Sequence, residues 1–195
     1  TNVLVINCDD EIGTTSFSSS NNQFHQSNDV NGDLISDVIV GTTLGRAAYV
    51  IYGSNALADQ KYINVSGLRG NRTGFTIIFD LHSQLSWADQ VGFVGDINND
   101  HIDDAAVLSV EMQYLIVTLG RDSKSTPFPD LIKCVTAHMQ VMFTSSFNHI
   151  SSFASGDFNG DGCNDIFIGA PGISVGDSGW VFVQFGQKSM PNHVN

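Results

Sequence analysis

Three stretches of the chain place polar side chains at alternate positions and then pass straight into an apolar run. They read DVNGDLISDVIVG from Asp29, DINNDHIDDAAVL from Asp96 and DFNGDGCNDIFIG from Asp157. Each is followed by a Gly-containing or polar stretch and then by a second apolar run that ends in Gly. These second runs are Ala47 to Gly53, Tyr114 to Gly120 and Trp180 to Gly186. They are aromatic and β-branched and too short for typical helices, so the pattern predicts strands. Helix signals are nearly absent. Asp130 to Phe143 has apolar residues at mixed spacing and leaves a helix open, although Val135, Thr136, Val141 and Phe143 suit a strand at least as well. A segment that recurs at similar spacing marks a repeat architecture. Several short antiparallel strands per repeat are what propeller blades are made of, and sheet stacking is the expected core.

The polar positions have their own logic. A hard divalent cation takes several oxygen ligands at about 2.3–2.6 Å from a chain that curls around it, and spacing at every second residue turns successive side chains inward. The first loop offers Asp29, Asn31, Asp33 and Asp37 with the carbonyl of Ile35. The second offers Asp96, Asn98, Asp100 and Asp104 with the carbonyl of Ile102, and the third Asp157, Asn159, Asp161 and Asp165 with the carbonyl of Cys163. The fourth position is Gly32, Asn99 or Gly160, residue types that tolerate positive φ with least strain. The sixth varies as Leu34, His101 and Gly162, so the backbone there does not demand Gly. An EF-hand would need a Glu at loop position 12, where this chain has Val40, Val107 and Ile168, and would need helices on both sides. The bland alternative is a set of Asp, Asn and Gly surface turns. Three matching loops favour three Ca²⁺ sites instead.

Charge agrees with this. Among 195 residues there are 20 Asp and Glu against 8 Lys and Arg, a net charge of −12, and nine of those 20 acids stand at the ligand positions of the loops. Such a balance speaks against nucleic acid or an anionic membrane as partner and for cations. No apolar run approaches the length needed to span a bilayer, and the first residues lack the basic and apolar parts of a signal peptide; a chain beginning at Thr1 fits a mature form or a fragment. Cys8, Cys134 and Cys163 have no metal-type spacing and allow at most one internal disulfide. The sequons at Asn64 and Asn71 fit a secreted protein.

Other constellations carry less. His25, His82, His101, His138, His149 and His193 form no zinc motif, and no Gly-x-Ser-x-Gly elbow occurs, so catalysis is not expected. Trp180, inside an apolar run, is expected in the core. Trp87, among polar residues, is the better candidate for a ligand platform.

These residues resemble FG-GAP repeats, the units of the integrin α-subunit propeller. The third repeat matches best: Ser151 to Asp161 followed by Ile168-Gly169-Ala170-Pro171 holds the family's calcium loop and its Gly-Ala-Pro, and Leu68 to Phe75 resembles the connection between bacterial-type repeats. Phe-Gly is reduced to Val91-Gly92 in the second repeat. Gly-Ala-Pro becomes Gly41-Thr42-Thr43 in the first repeat and Leu108-Ser109-Val110 in the second. The resemblance implies an all-β chain, a partial β-propeller of about three FG-GAP blades at approximately 18–75, 84–145 and 146–190, within a single 1–195 domain. It also implies a non-catalytic, extracellular or cell-surface module. Closed propellers have about four to eight blades, so missing sequence, another subunit or copies of the chain would complete this one. The expected role is calcium-stabilised adhesion or assembly with a protein or glycan partner, or with itself. The alternatives are an accessory propeller of a larger secreted enzyme, phospholipase-like, or a lectin.

Overall fold

The computed structural model describes residues 3–7, 15–18, 28–42, 47–79, 88–133, 139–142, 149–172, 174 and 176–188. Their regular elements are strands and two short 3₁₀ turns, at Asn55–Asp59 and Val65–Gly67. In chain order the strands are β1 (Val5–Asn7), β2 (Thr15–Ser18), β3 (Val38–Thr42), β4 (Ala47–Ile51), β5 (Tyr62–Asn64), β6 (Gly74–Ile78) and β7 (Gln90–Gly95). The rest are β8 (Asp104–Ser109), β9 (Tyr114–Thr118), β10 (Leu131–Lys133), β11 (Met139–Met142), β12 (Ser152–Gly156), β13 (Asp165–Ala170) and β14 (Trp180–Gln184).

The strands form small sheets that follow the repeats. The first has the order β10-β6-β4-β3-β2, the second β11-β9-β8-β7 and the third β12-β13-β14; β1 and β5 make a separate parallel pair. Within each repeat the pairing is antiparallel, and only β10 joins its sheet in parallel, beside β6. The register repeats as well: Val40 opposes Tyr49, Val107 opposes Ile116 and Ile168 opposes Phe182. The described parts of the ambiguous stretch after Asp130 are the strands β10 and β11, while Val135, Thr136 and Phe143 lie outside the described residues.

Because side chains alternate across a strand, each sheet has two faces, and those of the second sheet meet the first sheet on one side and the third on the other. Val30, Ile39, Ala48, Val50 and Tyr52 of the first repeat pack on Val91, Val107 and Ile116 of the second in one core. At the equivalent positions Ile97, Ala106, Leu115 and Val117 of the second repeat, with Leu119 beside them, pack on Phe153, Ile166 and Ile168 of the third. Burying each of these larger side chains contributes about 1.5–3 kcal/mol.

A third cluster closes the stack at one end. Val40, Ala47, Tyr49 and Ile51, on the face of the first sheet turned away from the second, lie under Val65 and Leu68, with Ile6 and Ile63 against them. The cap is therefore the β1–β5 pair with the Val65–Gly67 turn and Leu68 after it. The connection back from it is shaped by Gly70 and Gly74: a Cβ on Gly70 would collide with the Phe128 carbonyl, and Gly74 has φ +135 against the Val50 carbonyl. Phe75 then stacks on Phe128 at 4.3 Å, and the Tyr52 hydroxyl donates to the Gly70 carbonyl at 2.9 Å.

Trp180 departs from expectation. It is 58% exposed rather than core, because it begins β14, the edge strand of the third sheet among the described residues. Trp87, Cys8, Cys134, His25, His82, His138 and His193 lie outside the described residues.

Candidate functional site: three acidic loops

Each loop is wound by its own acidic side chains. In the first, Asp29 accepts from the backbone N–H of Gly32 at 2.8 Å, of Asp33 at 3.1 Å and of Leu34 at 2.7 Å. Asp33 accepts from the N–H of Ile35 at 2.8 Å. The second loop repeats this with Asp96 accepting from Asp100 and His101 and with Asp100 accepting from Ile102. In the third, Asp157 accepts from Gly160, Asp161 and Gly162, and Asp161 from Cys163. Short Asp side chains that capture nearby N–H groups make such turns self-supporting.

The fourth position is left-handed, with φ of 74° at Gly32, 59° at Asn99 and 76° at Gly160. So is the sixth, with φ of 68° at Leu34, 71° at His101 and 87° at Gly162. The chain thus tolerates Leu and His where Gly would be unstrained, at a cost of about 1–2 kcal/mol each.

Asp37, Asp104 and Asp165 close the loops, and all are buried. One oxygen of each accepts from the second loop residue: Val30 at 2.9 Å, Ile97 at 2.8 Å and Phe158 at 2.9 Å. The other accepts from the glycine that ends the second apolar run: Gly53 at 2.8 Å, Gly120 at 2.7 Å and Gly186 at 2.9 Å. A Cβ on any of these glycines would collide with the carbonyl of the residue before the closing Asp, namely Ser36, Asp103 or Asn164. Only glycine brings its N–H that close. The sequence announced this role, since all three runs end in Gly, but the partner of the glycine became visible only in space.

Burial, opposed by the two N–H bonds and reinforced by Asp29 and Asp33, raises Asp37 to about 7. Burial raises Asp104 well above the ordinary carboxyl range. The exposed Asp161 is held low by the Cys163 N–H and the Asn159 amide. Cys163 is buried and free, and its thiol is pushed up by burial and by Asp161.

The loops also hold one another. Asp103 and Arg121 donate their N–H groups to the carbonyls of Asp29 and Val30, at 3.0 and 3.1 Å; Asn164 and Gln187 do the same for Asp96 and Ile97, at 2.8 and 2.9 Å. The donors occupy equivalent places, one just before the closing Asp and one just after the glycine.

As they stand, the loop carboxylates are turned onto backbone N–H groups, and among the described residues no three His, Cys, Asp or Glu side chains are gathered into a metal-holding group. Among the described loop residues one side-chain oxygen is spare: the Oδ1 of Asn31, the third residue of the first loop, is buried and finds no hydrogen-bond partner there. Its counterparts are occupied: Asn98 and Asn159 accept from the backbone N–H groups of Asp100 and Asp161 and donate their amide N–H to the carboxylates of those two residues. An oxygen without a donor fits a cation, so the first loop's residues fit calcium.

A chain of small stacked β-sheets, each carrying an acidic loop ahead of its second strand, defines a β-repeat protein. Residues 150–182, a stretch that contains the third loop with β12 and β13, match the FG-GAP repeat family. No curated protein matches the chain. No helix of the described residues is long and apolar enough to cross a membrane.

Proposed function

We propose that the chain is a calcium-stabilised, extracellular adhesion or assembly module, without catalytic activity, whose sheets are consecutive blades of a partial propeller. Calcium is structural in this reading. Asp29, Asn31, Asp33 and Asp37 with the Ile35 carbonyl hold it in the first loop, and the equivalent residues hold it in the other two. When bound, the ion supplies positive charge to clustered carboxylates and ties the loop that leads into the second strand of each sheet. The observation that carries this reading is the buried, unpartnered Oδ1 of Asn31, at the position that the alternating pattern assigns to a ligand.

Extracellular calcium modules bind with a Kd of about 10⁻⁴–10⁻³ M. At such a Kd, calcium at about 1 mM stabilises the folded state by about 0.4–1.4 kcal/mol for each site. Thermal unfolding in millimolar calcium and in chelator tests this: a clearly lower melting temperature in chelator is expected, and identical curves would remove calcium from the account.

A glycan-binding role has one observation in its favour. Trp180 is 58% exposed and lines a shallow surface depression with Ser151, Ser152 and Pro171, a flat ring beside polar groups of the kind that stacks on sugars. Binding to immobilised glycans that Trp180→Ala abolishes would support it.

A further inference from the structure

The two N-x-Ser/Thr triplets of the chain, Asn64-Val65-Ser66 and Asn71-Arg72-Thr73, are brought by the fold to one place. Both belong to the connection from β4 to β6 that caps the first sheet. Asn64 is the last residue of β5, and Asn71 stands in the turn of residues 70–73 just before β6. Both asparagines are exposed, as are Ser66 and Thr73. Asn64, Arg72 and Thr73 line one cavity of about 350 Å³, together with Leu57, Tyr62 and Leu68. The two triplets therefore border the same patch of surface.

The bonds that close these turns use other atoms than the two amide nitrogens. The Asn64 Oδ1 accepts from the Ser66 N–H at 2.9 Å and from the Ser66 hydroxyl at 2.7 Å, capping the Val65–Gly67 turn. The Asn71 turn is closed by the Arg69 carbonyl, which accepts from the N–H groups of Arg72, Thr73 and Gly74, and by the Thr73 Oγ1, which accepts from the Arg69 N–H at 2.9 Å. An N-linked sugar replaces one amide hydrogen and leaves the other hydrogen and Oδ1 in place. Its attachment undoes neither turn.

We propose that Asn64 and Asn71 are acceptors for N-linked oligosaccharide and that the two glycans cover the capped end of the stack. The co-reactant is an oligosaccharide carried on a lipid diphosphate. The bond from its anomeric carbon to the diphosphate oxygen breaks, and the electron pair leaves with the diphosphate. The asparagine Nδ2 forms the new bond to that carbon and gives up one proton, so nothing is oxidised or reduced. Neither middle residue is Pro, as the acceptor triplet requires. A bulky, solubilising group at this place stands over the cavity and beside Tyr62, which is 69% exposed. The inference rests on the extracellular placement in the reading above and not on calcium.

The test sends the full chain, behind an added signal peptide, through the secretory pathway of cultured animal cells. Peptide N-glycosidase leaves aspartate wherever it removes a sugar, so mass mapping of the treated product should find both asparagines converted. On a gel the untreated parent should carry two glycans, Ser66→Ala and Asn71→Gln one each, and the double variant none. Ser66→Ala is the cleaner change at the first site, since it deletes the triplet but keeps the backbone N–H that Asn64 caps. Once deglycosylated, the parent and the double variant should melt within about 2 °C of each other, which shows that the lost sugars do not report a lost fold. A folded, secreted chain with either asparagine bare would overturn the proposal and leave the extracellular placement standing, because the added signal imposes secretion. A native chain found only in the cytosol would overturn both.

Discussion

The first and third sheets carry the same loop and the same strand register, but one conceals its outer face and the other displays it. On the first, Val40 and Ala47 are 1% and 3% exposed beneath the β1–β5 cap. On the third, Phe158 and Val181 are each 67% exposed. The residue types do not distinguish the two faces, since both are apolar and β-rich. What differs is the neighbour, and an apolar strand position in this chain is a request for a neighbour rather than a statement of burial.

That contrast can be broken most forcefully in the packed half. Phe75→Ala, which removes a fully buried ring from its stack on Phe128, should cost about 3–5 kcal/mol in urea unfolding. Phe158→Ala on the bare face should change stability by less than about 0.5 kcal/mol. Equal losses would mean that the third face is not bare in solution.

The glycines give the next largest effect. Gly120→Ala drives a methyl into the Asp103 carbonyl and withdraws an N–H from the buried Asp104; leaving a buried acceptor unsatisfied costs about 1–3 kcal/mol, and a loss of at least that size is expected. Gly67→Ala, which meets nothing within 4 Å, should be neutral within about 0.5 kcal/mol. If denaturation cannot tell these two apart, the clamp between the closing Asp and its glycine is not a support of the loop.

Smaller still is the strain at the sixth loop position. Leu34 has φ 68° and is 90% exposed, so its side chain contributes no packing. Leu34→Gly should raise stability by up to about 1 kcal/mol, and Gly162→Ala, at φ 87°, should lower it by a similar amount. A destabilised Leu34→Gly would show that this leucine is covered after all.

Much of this was legible in the sequence for a local reason. The loops and the strands β3, β4, β8, β9, β13 and β14 are set by alternation and by Asp side chains that bond N–H groups two to five residues away, so a linear reading finds them. The cap was not legible, because β1 pairs with β5 across a long separation and the turns between them carry no repeat signature. Nor was the parallel insertion of β10 beside β6. Trp180 was misplaced because its strand is apolar throughout, and which of its positions are covered depends on sheets elsewhere. The ligand positions were chosen by spacing alone, and spacing did not reveal that Asn31, with its spare oxygen, differs from Asn98 and Asn159.

Counting bound ions decides whether the loops hold calcium. Chelator-treated chain titrated with calcium in a calorimeter should bind three ions with a Kd of about 10⁻⁴–10⁻³ M, and Asn31→Ala should weaken one of the three. A titration with no binding up to ten millimolar calcium would contradict it, leaving the loops as turns held only by their own hydrogen bonds.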